Sequence, residues 1–443
     1  MQISLDLPAA VQLDSNDTIK DFMICQGMVR VLLIQNARRS AMRKILSLLI
    51  VLTLSAVFIL FTVVTGVSAK DIKVGAILNL TGPLSSWGQY HYKGLKDYIR
   101  YVNEVKGGIE GTQIKLTVVD NAYKVPESVK FIREFCTSDR MDMTATWDAG
   151  SGISVKPIIQ RYKMPNINFS TFPAILNPPV AYAYLPFGDY VMDTIAVSEY
   201  ILNIHKGSSP PKIALLTYNN AFGKAVQDPM KDYAAKNNLD IVGIEEFPTT
   251  TLDINTELLK LKNEGAEYIF TQLLPGHVVM ALQAADRANY DPLFIGSWTA
   301  TDPDFFKRAK GLIRDRLFQQ FPGALPVDGT PGIEEMMKVV HRYNTVEKFD
   351  TSTWEGVIIG MIIERGIRRA HEKFGEVNSD TIDHALETFR NESFGGIVPN
   401  ITYTDTDHGA SWIARIVKVN EDATYTPVTS FWAPGKEKVK ILK

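Results

Sequence analysis

The chain has 443 residues, of which 45% are apolar and 22% charged, and its 47 basic residues almost balance its 49 acidic ones. This composition is typical of a globular protein, and the length predicts more than one domain. The near-neutral charge gives no electrostatic reason to expect binding to nucleic acid.

An uncharged apolar run, ILSLLIVLTLSAVFILFTVV (45–64), follows several basic residues near the N-terminus and leads into the small residues Val67-Ser68-Ala69. This order is typical of an export signal that is cleaved after its last small residue. Because Met42 opens the pattern, residues 42–69 are predicted to be a signal peptide and residues 1–41 a mis-assigned extension. The alternative is an uncleaved anchor in the inner membrane, since about 20 apolar residues can span a bilayer.

Both alternatives place the remainder outside the cytoplasm, in the periplasm. The chain has only two cysteines, Cys25 and Cys136, so no disulfide framework is expected. No cysteine follows the signal in a lipid-attachment pattern, which favours a soluble periplasmic protein over a lipoprotein.

From residue 71 onward, short β-branched runs alternate with amphipathic stretches, a pattern that predicts parallel sheets with helices on both faces. The first unit is predicted as strand 71–80, helix 90–105, strand 113–120, helix 127–136, strand 141–147, helix 153–162 and strand 164–170. The second is predicted as helix 192–205, strand 212–218, helix 222–238, strand 240–247, helix 254–263, strand 267–274, helix 277–289 and strand 292–298.

The remaining stretch lacks an alternating core of its own. It is predicted as helices 334–343, 353–374 and 380–389, followed by strands 400–405, 410–419 and 424–432. The economical solution returns the helices to the first unit and the last strands to the second. Lobe 1 would then comprise residues 70–188 with 322–411, and lobe 2 residues 189–321 with 412–443. Three crossings would form a hinge, and both lobes would direct their binding loops into one cleft.

Several motifs in this order carry a resemblance. They are the strand end Thr81-Gly82-Pro83, the pair Trp87-Gly88, the segment GGIEG, the strand that ends in Asp120, and KIALLTYNNAFGKA. In this spacing the body from Asp71 onward resembles the periplasmic binding proteins of the branched-chain amino acid and amide type. These are the substrate-capturing subunits of ABC importers. The resemblance implies a two-lobed, type I periplasmic binding fold that closes over a small solute, an inner-membrane ABC permease as partner, and a monomer.

The segment TWDAGSG (146–152) joins a predicted strand to a predicted helix. It lacks the third glycine of a dinucleotide-binding fingerprint, and the chain has no phosphate-binding loop, so no cofactor is expected. Small residues at a helix start leave backbone N–H groups open to an anion. The resemblance implies that this junction seats a ligand carboxylate through residues 149–152, namely Ala149, Gly150, Ser151 and Gly152. The alternative is a tight turn in which Ser151 merely caps the helix.

The resemblance also implies ligand contacts from the end of the next strand, at Ser170, Thr171 and Phe172, and from Leu274 in the second lobe. Amino-acid-binding relatives place an acidic residue in the loop that corresponds to 297–299, but no carboxylate stands there. Burying an ammonium group without a partner would cost roughly 3–5 kcal/mol. Unless Asp302 or Asp304 reaches the cleft, we therefore expect a ligand without an α-ammonium group.

Aromatic residues gather at the predicted strand ends instead: Trp87, Phe172, Phe222 and Trp298. Flat apolar walls suit a planar or acyl group, so the expected ligand is a small carboxylate with an apolar or aromatic body. A branched-chain amino acid is the alternative, and packing within one lobe is the alternative for each aromatic residue.

Five further residues have weaker indications. Tyr218, Asn219 and Asn220 either donate hydrogen bonds across the cleft or belong to a turn. His277 is expected at the surface beside the cleft, and Trp354 is expected to pack.

An enzyme is the rival class, but the sequence has no GxSxG elbow, no HExxH and no CxxC, so no catalytic or metal-binding residue is predicted. A periplasmic sensor for a receptor kinase keeps the same fold with a different output. The expected function is solute capture by hinge closure and delivery to a permease.

Overall fold

The computed structural model describes residues 15–64, 71–82, 84–180 and 182–442, and within the first range only the side chains of residues 26–53. The chain divides into two compact units, residues 1–69 and 70–443. The first contains one helix, α1 (Ser15–Val64). The predicted cleavage site at residues 67–69 lies outside the described residues. Among the described residues, no helix has an apolar stretch long enough to cross a membrane.

The second unit contains two sheets. The five-stranded sheet is parallel throughout and has the order β2-β1-β3-β4-β5. Its strands are β1 (Ile72–Leu78), β2 (Ile114–Asp120), β3 (Met143–Thr146), β4 (Asn166–Asn168) and β5 (Ala183–Tyr184). Since β1 lies between β2 and β3 and is buried along nearly its whole length, its run IKVGAIL is apolar on both faces.

The seven-stranded sheet has the order β12-β11-β10-β9-β8-β6-β7. Strands β6 to β10 are parallel, and β11 and β12 run antiparallel to their neighbours. The strands are β6 (Lys212–Tyr218), β7 (Asp240–Phe247), β8 (Tyr268–Gln272), β9 (Leu293–Gly296), β10 (Leu317–Phe321), β11 (Arg415–Val419) and β12 (Tyr425–Pro427).

Helices cover both sheets. In chain order they are α2 (Ser85–Glu104), α3 (Val125–Thr137), α4 (Ala149–Tyr162), α5 (Tyr190–Ile204), α6 (Ala221–Lys224), α7 (Gln227–Ala234), α8 (Asn255–Asn263), α9 (Pro275–Arg287), α10 (Pro303–Arg308), α11 (Pro331–Arg342), α12 (Thr351–Phe374) and α13 (Ser379–Leu386). Helices α11 and α12 pack on α2, and α13 packs on α12, whereas β10 to β12 extend the second sheet.

The predicted architecture of two doubly wound α/β lobes is confirmed, while the lobe boundaries stay predictions. Three local predictions were wrong. The predicted strand 400–405 makes only an isolated bridge between Ile401 and Glu392. The sequence did not predict β10, since RLFQQF contains two glutamines, which are buried in the sheet. The predicted helix 222–238 is divided into α6 and α7.

Glycines allow α2 and α12 to cross at close range. A Cβ atom on Gly94 would lie 2.3 Å from the carbonyl oxygen of Thr353, and one on Gly356 would lie 2.1 Å from the carbonyl oxygen of His91. Only glycine permits this approach of the two backbones. The crossing places Glu355 of α12 directly against α2.

Candidate ligand-binding site

A small cavity lies where the loops at the carboxyl ends of the strands of both sheets meet. From the side of the five-stranded sheet it is lined by Tyr123, Trp147, Asp148, Ala149, Phe169 and Ser170, and from α5 and α12 by Tyr190 and Glu355. From the side of the seven-stranded sheet it is lined by Phe222, Leu274, Trp298 and Thr299. Open α/β sheets bind ligands at this edge.

Aromatic rings form most of the cavity wall, and several of them pack on one another. The rings of Tyr190 and Trp298 are stacked with centroids 5.5 Å apart, and Phe222 meets Tyr190 edge-on at 5.5 Å. Tyr123 and Trp147 lie 5.6 Å apart on the opposite lobe. Since these contacts restrict the rings, the walls are largely preformed before a solute enters.

Asp148 occupies the N-terminus of α4, where the sequence predicted an open anion seat. Its Oδ1 accepts a hydrogen bond from the backbone N–H of Ser151 at 2.7 Å, and its Oδ2 accepts one from the Ser151 hydroxyl at 2.6 Å. The Nδ2 of Asn121 also donates to Oδ2 at 3.2 Å. The chain's own carboxylate therefore accepts from the backbone N–H and the hydroxyl of Ser151, two of the donors that the sequence assigned to a ligand anion, and the anion seat stays a prediction.

The glycines of this junction have a packing role instead. A Cβ atom on Gly152 would lie 2.6 Å from Nδ2 of Asn168, and one on Gly150 would lie 3.0 Å from Cγ2 of Val125. Both clashes involve neighbouring side chains of the same lobe. The small residues thus let α4 approach the end of β4 and the start of α3.

Burial opposes the charge on Asp148. It raises the pKa of this carboxyl to about 6, although the hydrogen bonds from Ser151, Asn121 and the Gly150 backbone act in the other direction. Asp148 also has a φ angle of +70°, which a non-glycine residue adopts only when its surroundings hold it there. The capping bonds provide that constraint.

Glu355 supplies a second buried carboxylate, with only 1% of its surface exposed. Its Oε2 accepts a hydrogen bond from Nε1 of Trp87 at 3.2 Å and lies 3.1 Å from Nδ1 of His91. No hydrogen bond to its Oε1 is present within the described part of the chain. Residues of α2 therefore contact one oxygen of this carboxylate, and the other oxygen remains available to a solute in the cavity.

The polar groups of the lining are otherwise neutral. The hydroxyls of Ser170 and Tyr190 lie 3.1 Å apart, and Nε1 of Trp298 is buried without a partner among the described residues. None of the lining residues is lysine, arginine or histidine. Among the described residues, no group of histidine, cysteine, aspartate or glutamate side chains is arranged to hold a metal ion.

Hydrogen bonds join segments beside the five-stranded sheet to segments beside the seven-stranded sheet. The Ser86 hydroxyl donates to Oδ2 of Asp302, and the Tyr90 hydroxyl lies 3.3 Å from Oδ1 of Asp304. Nδ2 of Asn220 donates to the Tyr123 hydroxyl at 3.1 Å. These contacts connect the two sides of the cavity.

Asp302 does not reach the cavity, although the sequence analysis named it as a possible counter-ion. It is buried and caps α10, where its Oδ1 accepts a hydrogen bond from the Phe305 backbone at 2.6 Å. The cavity nevertheless contains Asp148 and Glu355. The premise that it offers no carboxylate to an ammonium group is therefore wrong.

Five residues that the sequence singled out line the cavity: Ala149, Ser170, Phe222, Leu274 and Trp298. Six others lie outside the lining: Trp87, Gly150, Ser151, Gly152, Thr171 and Phe172. Of these six, Trp87 is fully buried behind Glu355, and Phe172 is half-buried against the core. Ligand contact for any of the eleven stays a prediction.

Seven lining residues are not among these eleven: Tyr123, Trp147, Asp148, Phe169, Tyr190, Thr299 and Glu355. Five of the seven lie within three residues of the end of a strand, so the rule that ligands bind at strand ends could have found them. Glu355 had no such signal, because its helix has the apolar pattern of a packing element.

His277 was expected at the surface but is buried. Its Nε2 lies 2.9 Å from the Thr251 carbonyl and its Nδ1 2.9 Å from the Tyr218 hydroxyl. Since a carbonyl only accepts, Nε2 carries the proton and Nδ1 accepts from Tyr218. Tyr218 therefore bonds within its own lobe, whereas Asn220 crosses the cleft. Trp354 packs, as expected, and stacks on Phe187.

The fold and the cavity can now be compared with known proteins. Residues 71–424 match a family model described as periplasmic binding protein. The chain belongs to this family. It is a type I periplasmic binding protein of the branched-chain amino acid group, whose members are solute-binding proteins of ABC transporters with an extracytoplasmic location.

Individual relatives are distant. The chain is 23% identical over 388 residues to Leu/Ile/Val-binding protein homolog 8 of Brucella abortus, covering 83% of this chain and 89% of the relative. A branched-chain amino acid ABC transporter protein from Thermus thermophilus with bound valine has a TM-score of 0.75 at 22% identity, with 83% of this chain and 98% of that one covered. A fatty acid ABC transporter substrate-binding protein from Thermomonospora curvata has a TM-score of 0.76 at 20% identity, with 85% and 96% covered. At these identities the structural likeness shows the fold alone.

Proposed function

We propose that this protein is the solute-binding subunit of an ABC importer, which captures a small solute in the cavity by hinge closure and delivers it to an inner-membrane permease. Residues 42–69 would export it as a signal peptide, or anchor it if uncleaved. The lobes would be residues 70–188 with 322–411 and residues 189–321 with 412–443.

One observation carries the proposal. The cavity has walls from both sheets, so neither lobe alone forms the complete site. A solute bound on one lobe gains the contacts of the other only when the cleft closes, and it therefore shifts the population toward the closed form. The hydrogen bonds between Ser86 and Asp302 and between Asn220 and Tyr123 would add to closure.

The aromatic walls support a solute with an apolar or aromatic body, as the sequence predicted. The carboxylate head proposed from the sequence has less support, because Asp148 occupies the α4 terminus and the lining has no basic side chain. Two ligand classes also come from the relatives, whose descriptions mention valine or branched-chain amino acids and fatty acids. The family binds solutes, and we propose no catalysis.

Thermal unfolding of the full chain against amino acids, amines, carboxylic acids and amides tests this function. A solute at about 100 times its Kd should stabilise the protein by about 2.7 kcal/mol. Phe222→Ala, which removes a wall of the cavity, should reduce this stabilisation to about 1.4 kcal/mol or less at the same solute concentration. Failure of every class, or an unchanged shift in this variant, would contradict solute capture in the cavity.

Delivery is tested by uptake. Deletion of the gene should abolish import of the radiolabelled solute by cells, and restoring the wild-type gene should recover it. Unchanged import would contradict the transport role while leaving solute binding intact.

A further inference from the structure

Resting on the proposed function, we propose that the cavity binds the protonated amine nitrogen of its solute, with Glu355 as the counter-ion, and requires no carboxylate on that solute. The proposal names the chemical class of the ligand: a primary amine or similar nitrogen cation on an apolar or aromatic body.

The environment of Glu355 gives the first argument. Nε1 of Trp87 donates a hydrogen bond to its Oε2 at 3.2 Å, and Nδ1 of His91 lies 3.1 Å from the same oxygen. Its Oε1 accepts no hydrogen bond from the described residues, although the residue is almost completely buried and lines the cavity. A carboxylate in a cavity with one oxygen that lacks a protein donor would gain a partner from an N–H group of a solute.

His91 does not remove the need for that cation. Its Nδ1 lies 3.1 Å from Oε2, and neither ring nitrogen has a hydrogen-bond partner among the described residues. The ring packs edge-on against Phe169 with centroids 3.9 Å apart. His91 therefore leaves Oε1 without a donor.

The aromatic wall gives the second argument. Six rings line the cavity: Tyr123, Trp147, Phe169, Tyr190, Phe222 and Trp298. The faces of such rings carry negative partial charge and attract cations, most strongly when water is excluded. A carboxylic acid would gain the apolar contact with these rings but not the attraction between a cation and the ring faces.

The balance of charge gives the third argument. Asp148 and Glu355 are the charged residues of the lining, and both are acidic. Burial raises the pKa of two neighbouring phenols, and the carboxylates add to this effect. Asp148 contributes to the raised pKa of Tyr123, and Glu355 contributes to the raised pKa of Tyr190. The available donors are neutral groups such as the Trp298 indole N–H. These neutral donors are poor partners for a buried solute carboxylate, which would also face the carboxylates of Asp148 and Glu355.

Three solutes of one shape test the proposal: valine, isobutylamine, which is valine without its carboxylate, and isovalerate, which is valine without its ammonium. Phenylalanine, phenethylamine and 3-phenylpropionate form a larger set of the same design. Titration calorimetry on the wild-type full chain should show binding of at least one amine and none of the matching acid. Glu355→Gln keeps the acceptor for Trp87, and it should weaken binding of the amine about tenfold or more.

Several outcomes would overturn the proposal. They are binding of an acid in preference to its amine, binding of an amino acid more than about tenfold tighter than its amine, or amine binding that Glu355→Gln leaves unchanged. Circular dichroism would reveal a variant that fails to fold. In that case the titrations of the matched solutes on the wild type still test the proposal. If only neutral amides bind, the amine proposal fails while solute capture stands. If no solute of any class binds, both fail.

Discussion

Nδ2 of Asn220 donates a hydrogen bond to the Tyr123 hydroxyl at 3.1 Å and thereby joins the loop after β6 to the loop after β2. The two loops lie beside different sheets, so under the proposed hinge closure this bond would form as the cleft closes. Asn220 also caps α6, where its Oδ1 accepts from the Gly223 backbone at 3.1 Å. One residue therefore has a local role and, in the proposed mechanism, a role in closure.

Asn220→Ser separates these roles, because serine retains a capping oxygen but is too short to reach Tyr123. We expect solute affinity to fall about fivefold to tenfold, since a net hydrogen bond contributes about 1 kcal/mol. The free energy of unfolding should change by less than about 0.5 kcal/mol. Calorimetry and urea unfolding measure the two quantities. Unchanged affinity would show that the bond does not contribute to closure.

Two phenylalanines that the sequence treated alike should respond differently. Phe222 lines the cavity, whereas Phe172 is half-buried against the core outside it. We expect Phe222→Ala to weaken solute binding at least tenfold, because the solute loses an aromatic wall. Phe172→Ala is the matched control and should reduce stability but leave Kd within about twofold. Equal losses of affinity in both variants would contradict the assigned lining.

Ser151 should matter for stability rather than for binding. Its hydroxyl donates to Asp148 at 2.6 Å and lies 2.8 Å from the Ser128 hydroxyl, all of them buried. Ser151→Ala should lower the free energy of unfolding by about 1–3 kcal/mol, because a buried carboxylate loses a donor. Urea unfolding measures the loss. A large fall in affinity with unchanged stability would instead support the anion seat that the sequence predicted.

The close crossing of α2 and α12 makes Gly356 sensitive. A Cβ atom there would lie 2.1 Å from the His91 carbonyl oxygen, so Gly356→Ala must push the helices apart and displace Glu355. We expect a loss of about 2 kcal/mol or more in stability together with weaker solute binding. Gly276→Ala in α9 is the control, since its nearest neighbour would be an Arg308 side-chain atom at 3.7 Å. Similar stabilities for the two variants would show that the crossing tolerates a side chain.

Asp383 provides a pH test away from the cavity. Its Oδ1 accepts a hydrogen bond from Tyr184 at 2.6 Å, and burial raises the pKa of this carboxyl from 3.8 to about 6. The folded protein therefore holds this proton more tightly than the unfolded chain. The stability that the group contributes is present at low pH and is lost as pH rises from about 4 to about 6.

Asp383→Asn removes this titration. Relative to the wild type, the variant should gain about 1–3 kcal/mol in free energy of unfolding between pH 4 and pH 7, whatever its stability at pH 4. Because the comparison is made against the wild type, the similarly raised Asp148 and Asp302 carboxyls cancel. Urea unfolding at several pH values measures the difference. A constant difference would mean that Asp383 titrates normally in the folded protein.

The sequence predicted the lobes because β-branched runs such as KIALLTY alternate with amphipathic helices, and a parallel sheet follows from that alternation. It did not predict β10, because the two glutamines of that strand are polar. The structure buries Gln319 in the sheet, where its Oε1 accepts a hydrogen bond from Thr301 at 3.1 Å. It predicted a ligand carboxylate at TWDAGSG, where the structure has the Asp148 side chain at the helix terminus. The composition of the segment indicates a helix N-terminus that could bind an anion. Only the structure shows that the Asp148 side chain lies there.

Glu355 illustrates a different limit. Its position depends on the crossing of α2 and α12, which brings together residues far apart in the chain, so no local pattern indicates it. Without this residue the cavity appeared to lack a partner for an ammonium group. The predicted aromatic walls depended only on positions at strand ends, and Phe222 and Trp298 were therefore found.

Closure of the two lobes over a solute is the central claim, and small-angle X-ray scattering tests it most directly. On the full chain, a saturating concentration of a solute that binds in calorimetry should reduce the radius of gyration. At a solute concentration near the wild-type Kd, the Phe222→Ala variant, which binds at least tenfold more weakly, should show a smaller decrease than the wild type. An unchanged radius in the wild type while the solute is bound, or an equal decrease in the variant, would contradict capture by closure around this cavity.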